Sequence, residues 1–425
     1  MNGPETAGPR SAGAGLGPRT SYEEALAWLF GTQRFGIKLG LENSRRLFAA
    51  LGVLSPNERI IHVAGTNGKG SVCAMLDSIC RAAGYRTALF TSPHLVTFRE
   101  RIQFNGELIS EKEVARDLTK IRELVAGWDP HPTFFEITTA LALDYFRRRE
   151  ADIIVLETGM GGRLDATNAA QPVVSILTPI DYDHQKWLGH SLTEIAGEKA
   201  GIIKADIPVV SALQPDEAAA VVRSRAAECG APLDFVRQPF DRFPIALRGR
   251  HQNENAALAI SALHTAQIAI DDAALERGLA TVVWPARFQQ WDARTIIDGS
   301  HNPAGARILA ETWRQTFGDR RATILLAVLR DKDVAGICSA LEPIAHRALL
   351  PAIRSERGLP PEELRLTICD QLPGLPVAVL PSLAAAWEEA RRDAAPILIC
   401  GSLHFAGEAL AFLRGEPAAF EECLQ

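Results

Sequence analysis

Hydrophobic positions along this chain change period repeatedly, and the changes mark out elements. RIIHVAG (59–65) is a continuous apolar run closed by glycine, the pattern of a strand buried on both faces. VCAMLDSICRAAG (72–84) follows at helical spacing and stops at Gly84. RTALFTSP reads as a second short strand. FFEITTALALDYFRRR reads as a helix whose basic end suits the negative pole of the helix dipole. ADIIVLETG, PVVSILTPID and IPVVSAL are three more strand patterns. PDEAAAVVRSRAAECG and ENAALAISALHTAQIA are helical. Residues 21–52 are helical in pattern and open on a capping box, Ser21 with Glu24. Strands alternating with helices predict an α/β fold, a mainly parallel sheet with helices on both faces.

The rhythm breaks at VVWPARFQQWDAR, where proline and aromatics follow no period. Residues near 285–292 are therefore expected to be an interdomain linker. Beyond it the alternation restarts with RTIIDG, RILAETWRQTFG, ATILLAVL, HRALLPAI and APILICGS, a second and smaller α/β domain. The predicted division is 1–20 as a disordered leader, 21–288 as the larger domain and 289–425 as the smaller. No internal repeat has a fixed period.

Composition changes this picture little. The 425 residues are 47% hydrophobic and 23% charged, ordinary for a globular chain of two domains. A net charge of −6 gives no electrostatic case for a nucleic-acid partner. No run of eighteen apolar residues suggests a membrane span. The first twenty residues, rich in Gly, Pro and Ala, lack the apolar stretch of a signal peptide. Seven scattered cysteines with no CxxC pair fit a reducing cytosol and argue against structural zinc.

The chemistry begins at HVAGTNGKGS (62–71), a strand, a glycine-rich turn and a helix start. Unpaired amides at a helix N-terminus carry about half a positive charge and suit a phosphate. Lys69 can reach terminal phosphates, and the Ser71 hydroxyl lies beside them. A plain glycine-rich connection is the simple alternative. The strict phosphate-loop pattern wants glycine at position 63, which here is Val63. Further along, Glu157 closes an apolar strand, Ser92 lies at the end of another, and Asp181, Asp183 and His184 follow a third. Parallel strands gather all of these at one sheet edge, with oxygen ligands and an imidazole suited to magnesium. Turn formation accounts equally well for the two aspartates alone. SLTEIAGEKAG reads as a short helix with Ser191 and Glu194 as capping box and Gly201 as terminator, and Lys199 in its last turn reads on its own as a cation at a helix C-terminus.

The motifs GTNGKGS, TSPHLVTFRERI, TFFE, LETGMGGRLDATN, DYDHQKWLG, EKAGIIK, WPARFQ and HNPAGAR, in this order, resemble the folylpolyglutamate synthase and dihydrofolate synthase branch of the Mur ligase family. The match runs from about residue 21 to 410. It implies a larger N-terminal P-loop ATPase domain with a mainly parallel sheet and a smaller C-terminal Rossmann-like domain. The activity implied is an ATP-dependent amide ligase that joins L-glutamate to dihydropteroate and to folates through an acyl phosphate. Its setting would be folate biosynthesis in the cytoplasm, acting as a monomer. A Mur-type ligase on another carboxylate and an inactive nucleotide-binding homologue are the alternatives.

The resemblance also implies residue roles. Thr66, Asn67, Gly68, Lys69, Gly70 and Ser71 would cradle ATP, with Asn255, Arg287, Asp298 and His301 as further nucleotide contacts. Ser92, Glu157 and His184 would hold magnesium. Two magnesium ions are expected. Lys199 would be carbamylated and serve the second ion. Lys69, Lys199 and His184 would be the catalytic groups. Leu39, Gly40, Leu41, Thr133, Phe134, Phe135, Glu136, Leu164, Asp165 and Ala166 would hold the pterin; for Phe134 and Phe135 simple helix core is the alternative. Thr158, Lys38 and DGSHNP depart from the usual family pattern.

Overall fold

The structure is a computed structural model that describes residues 20–35, 40–53 and 58–422. Residues 1–19 of the predicted leader and Leu39 lie outside the described residues.

Two sheets carry the fold. The first is built from β1 (Arg59–Ala64), β2 (Thr87–Phe90), β3 (Ile102–Phe104), β4 (Glu107–Leu108), β5 (Ile153–Glu157), β6 (Val174–Leu177), β7 (Val209–Ala212) and β8 (Leu233–Val236). Their order is β4-β3-β2-β5-β1-β6-β7-β8. All pairs are parallel except β2–β3 and β3–β4. The second sheet has β9 (Gln289–Gln290), β10 (Thr295–Ile297), β11 (Ala322–Leu326), β12 (Ala345–Pro351), β13 (Val377–Leu380) and β14 (Ile397–Cys400). Its order is β13-β12-β11-β14-β10-β9, antiparallel only at β9–β10.

Alternation along the central strands explains why their sequences are continuously apolar. Ile60 of β1 packs into one core with Phe48, Phe98 and Phe146, while Ile61 and Val63 point into another with Met75, Ile79 and Leu279. In the second sheet Ile324 and Leu326 join Trp313 on one face, and Leu325 joins Phe405 on the other. Each central strand is covered by helices on both sides, so neither parity can be polar.

The pattern reading differs from the structure at sheet margins. It found five strands in the first domain, where the described residues form eight. The extra β3, β4 and β8 are two to four residues long at the edges, too short and too exposed for a period to show. It gave 21–52 as helical; the helices are Tyr22–Gly31 and Glu42–Leu51, with a 3-10 turn at Thr32–Phe35 after the first. The Ser21–Glu24 and Ser191–Glu194 capping boxes both form. Gly201 ends the helix Leu192–Ala200 at φ −61°, in the right-handed region. Its smallness serves packing, since a Cβ there would lie 2.3 Å from Arg163 Cβ. Within the stretch expected to be linker, Gln289–Gln290 already belong to the second sheet as β9.

Candidate active site

Strand β1 lies between β5 and β6, the point where the chain order reverses across the sheet. Loops leaving the carboxyl ends of the strands part there and leave a crevice. Four loops enter it: 65–68 after β1, 91–92 after β2, 158 onward after β5, and 178–184 after β6.

The β1 loop is shaped by its glycines. Gly65 and Gly68 have φ of +149° and +88°, and Gly68 caps the helix Lys69–Ala82. The Thr66 and Asn67 amides donate to Pro179 O at 2.9 and 3.3 Å, which leaves the amides from Gly68 to Ser71 as the candidate donors to an anion. Gly70 is also closely packed: a Cβ there would lie 2.6 Å from Trp284 Nε1. Lys69 Nζ folds back and donates to Gly65 O at 3.1 Å and Thr66 O at 3.2 Å. The Thr66 hydroxyl donates to Asp181 O and accepts from Asp181 N–H, at 2.9 and 3.0 Å, and so ties the β1 and β6 loops. Ser71 Oγ accepts from Gln252 Nε2 at 3.4 Å, and Gln252 Oε1 accepts from Asn255 Nδ2 at 2.9 Å.

Charge in the crevice is tightly packed. Lys199 Nζ, buried, donates to the same Gly65 carbonyl at 2.8 Å. Burial, and then the nearby Lys69 charge, bring its ammonium down to about 7. Glu157 is buried and accepts from Ser92 N–H at 3.0 Å. Burial raises its carboxyl, against the pull of Lys69, Arg287 and Arg101. Ser92 Oγ is buried with no hydrogen-bond partner. His184 begins the helix Gln185–Leu188 with φ +50°. Burial lowers its imidazole to about 4, so the ring is neutral at pH 7.

An orphaned buried hydroxyl beside a buried carboxylate fits a hard divalent cation. Among the described residues no three His, Cys, Asp or Glu side chains gather closely enough to hold a metal by themselves. The charges acting on Glu157 are Lys69, Arg287 and Arg101, whereas His184 feels Asp183, Lys332, His301 and Lys199.

The second domain closes the crevice through Asp183. Its carboxylate accepts from Lys332 Nζ at 2.6 Å and Asn302 Nδ2 at 3.3 Å, and lies 3.3 Å from His301 Nε2. Burial alone would raise this carboxyl, but His301, His184 and Lys332 hold it well below the usual range. Asn302 also donates to Asn67 Oδ1 of the phosphate loop at 3.1 Å. Arg287 is half-buried, and desolvation lowers its guanidinium. It sits between Ala286 and Phe288, at φ +55° and +44°. Asp298 pins that bend by accepting from Phe288 N–H at 2.7 Å and Ser300 N–H at 2.8 Å.

The residues expected to hold a pterin have structural duties here. Thr133 and Glu136 form the capping box of the helix Phe134–Arg148. Phe134 is buried and stacks on Phe30 at 5.6 Å. Phe135 is partly buried, tilted against Phe90, and fills the space that a side chain at Gly159 would need. The Asp165 carboxylate accepts four hydrogen bonds, from Gly159 N, Met160 N, Thr167 N and Thr167 Oγ1, all within its own loop. Ala166 is buried and Leu164 half-buried beside it. Gly40 and Leu41 lead into the helix Glu42–Leu51.

Sequence reasoning gave no role to Asn302, Lys332, Arg101, Gln252 or Trp284. Asn302 before Pro303 is a legible helix start, and it does cap Pro303–Phe317. Lys332 carries no signal, because its partner is 149 positions away.

Comparison with known proteins agrees with this geometry. Residues 63–228 match the Mur ligase middle domain and 286–403 the Mur ligase glutamate ligase domain. The chain is 38% identical to the dihydrofolate synthase/folylpolyglutamate synthase of Bacillus subtilis, over 77% of this chain and 84% of that protein. It superposes on the Escherichia coli protein solved with DHPP and ADP with a TM-score of 0.84 and 31% identity, covering 92% and 98% of the two chains. A bifunctional folylpolyglutamate synthase/dihydrofolate synthase solved with Mn, AMPPNP and L-glutamate gives a TM-score of 0.82 at 31% identity, again over 92% and 98%. With this identity sustained across both sheets and the crevice between them, the chain belongs to the dihydrofolate synthase/folylpolyglutamate synthase family of Mur ligases.

Proposed function

We propose that the chain is an ATP-dependent ligase that joins L-glutamate to dihydropteroate and to reduced folates. The observation that carries this is the crevice itself. An anion-binding helix start, the half-buried Lys69, the buried Lys199 and a buried carboxylate converge at the carboxyl edge of the first sheet, under a second domain.

A carboxylate is a poor electrophile, so it must first be activated. An oxygen of the acceptor's carboxylate attacks the γ-phosphorus of ATP; the bond to the bridging oxygen breaks, and ADP leaves. The glutamate amine then attacks the acyl carbon. Phosphate departs with the electron pair of the broken C–O bond, and the amine loses a proton as the amide forms. Lys69 and the amides of Gly68–Ser71 would hold the transferring phosphoryl group and offset its charge. Asn255, Arg287, Asp298 and His301 would place the rest of the nucleotide. A divalent cation, when bound by Ser92, Glu157 and His184, with carbamylated Lys199 toward a second ion, would neutralise phosphate charge. Magnesium is the ion proposed.

Lys199 would be carbamylated. An amine lowered to about 7 is substantially neutral at physiological pH, the form that adds carbon dioxide. The product is a carboxylate beside Lys69, which relieves the repulsion of two ammoniums over one carbonyl.

Phe135, Leu164, Leu41 and neighbouring residues would wall the pterin pocket, with Thr133, Glu136 and Asp165 holding that wall in shape. Small molecules would be the only partners, and the enzyme a cytoplasmic monomer. No helix of the described residues is long and apolar enough to cross a membrane.

The test is phosphate release with ATP, magnesium, glutamate and either dihydropteroate or tetrahydrofolate. Turnover with at least one acceptor is expected. Turnover with neither, or turnover only on a uridine-linked muramyl acceptor, overturns the proposal.

A further inference from the structure

The segment Pro417–Glu422 follows the last helix of the second domain and returns to the first. Arg354 Nη1 donates to Pro417 O at 2.9 Å, and Phe420 meets the His404 ring edge-on at 5.0 Å, both second-domain contacts. Glu421 then engages the first domain with its backbone and its side chain. Its N–H donates to Val96 O at 2.8 Å. Its carboxylate accepts from Tyr22 Oη at 3.0 Å, Thr97 Oγ1 at 3.2 Å and Phe98 N–H at 2.5 Å. The turn it grips is already pressed onto the second domain. Val96 is buried in that domain's apolar cluster, and a Cβ on Gly407 would lie 1.9 Å from Leu95 O.

The carbonyl of Glu421 adds a second link. A carbonyl only accepts, so His94 Nε2, 3.0 Å away, carries the proton. His94 Nδ1 is then the acceptor for Arg101 Nε–H at 2.8 Å. Both ring nitrogens are used, and the imidazole is fixed in one tautomer and one orientation. Arg101 is fully buried, and its guanidinium carbon lies 5.3 Å from the centroid of the Phe134 ring. Its charge is among those acting on Glu157. It therefore links the helix Phe134–Arg148, which carries residues expected to hold the acceptor, with the buried carboxylate of the crevice.

We propose that His94 and Glu421 are positioning residues for the acceptor: the segment Pro417–Glu422 straps the Leu95–Phe98 turn and, through the His94 ring, orients the Arg101 guanidinium. This rests on the ligase reading for what Arg101 meets, but not for the strap itself. Neither residue touches the reacting atoms. Their effect is expected on capture of the acceptor and not on ATP.

The test uses the full chain. Glu421→Ala should raise KM for the folate or pteroate acceptor at least fivefold while KM for ATP stays within twofold. Glu421→Gln, which keeps an acceptor oxygen for Tyr22 and Phe98, should recover most of the loss. His94→Gln reaches the Glu421 carbonyl but offers Arg101 no ring nitrogen. It should give the same selective rise, and combining it with Glu421→Ala should add less than the sum of the two effects. Equal rises in both KM values, or full additivity, overturn the positioning role. Amide exchange supplies a readout free of turnover. Exchange across Leu95–Arg101 should quicken at least tenfold in Glu421→Ala, and unchanged protection refutes the strap. A wild-type chain inactive on every folate acceptor would sink the proposed function, while the exchange result would still decide the strap.

Discussion

Replacing Asp183 with asparagine should uncouple the two domains. The carboxylate is held by Lys332 at 2.6 Å, with Asn302 and His301 each at 3.3 Å, and its side chain and that of Lys332 are only 7% and 6% exposed. Asparagine keeps the size and one acceptor oxygen but removes the charge. Lys332 would keep Asp331 at 3.8 Å as an ion-pair partner, and Asp331 is 40% exposed. Stranding one member of a buried pair costs about 3–5 kcal/mol. The penalty need not unfold either domain, because Lys332 regains water when the second domain swings away. It should fall on the closure equilibrium, where about 1.4 kcal/mol is a factor of ten, so closure weakens by roughly 10² to a few times 10³. Steady-state kinetics should show kcat/KM falling by about that factor. Small-angle scattering with a non-hydrolysable ATP analogue should show a larger radius of gyration than wild type. A variant within threefold of wild-type kcat/KM, with an unchanged scattering curve, would refute the latch.

Lys69→Ala should lower kcat by roughly 10²–10³, the usual cost of one lost transition-state donor, and single-turnover phosphate release is the measurement. Gly159→Ala would place a Cβ 2.6 Å from Phe135 Cζ, so overpacking of about 1–3 kcal/mol should appear as a lower unfolding midpoint. His62 is buried, and burial lowers its imidazole to about 3. The unfolded chain takes up that proton near pH 6.5 and the folded chain does not, so this share of stability is complete above about 6.5 and is lost as pH falls toward 3. Unfolding free energies from urea titrations at pH 7 and 5 should therefore differ less in His62→Gln than in wild type, by about 2 kcal/mol at 1.36 kcal/mol per unit; equal differences would contradict the burial argument. Lys199→Ala should lose activity and regain part of it with added short-chain carboxylate, and a lack of rescue would count against the carbamate.

The sequence by itself determined the α/β class, the central strands and the placing of the chemistry at strand ends. The reason is local. A strand covered on both faces is apolar on both parities, as in Ile60, Ile61 and Val63 or Ile153–Leu156, and a phosphate loop is a contiguous turn. Capping boxes at Ser21 and Ser191 were legible for the same reason. Edge strands such as Glu107–Leu108 were not, because two residues carry no period. Tertiary structure alone decided which groups meet. It set Lys69 and Lys199 on one carbonyl, gave Asp183 to Lys332 and His301 rather than to a metal cluster, and brought Glu421 back to Val96 and His94. Those pairings join residues more than a hundred positions apart. Their energies come from burial and from charge in a dry crevice, which exist only once the two sheets have packed.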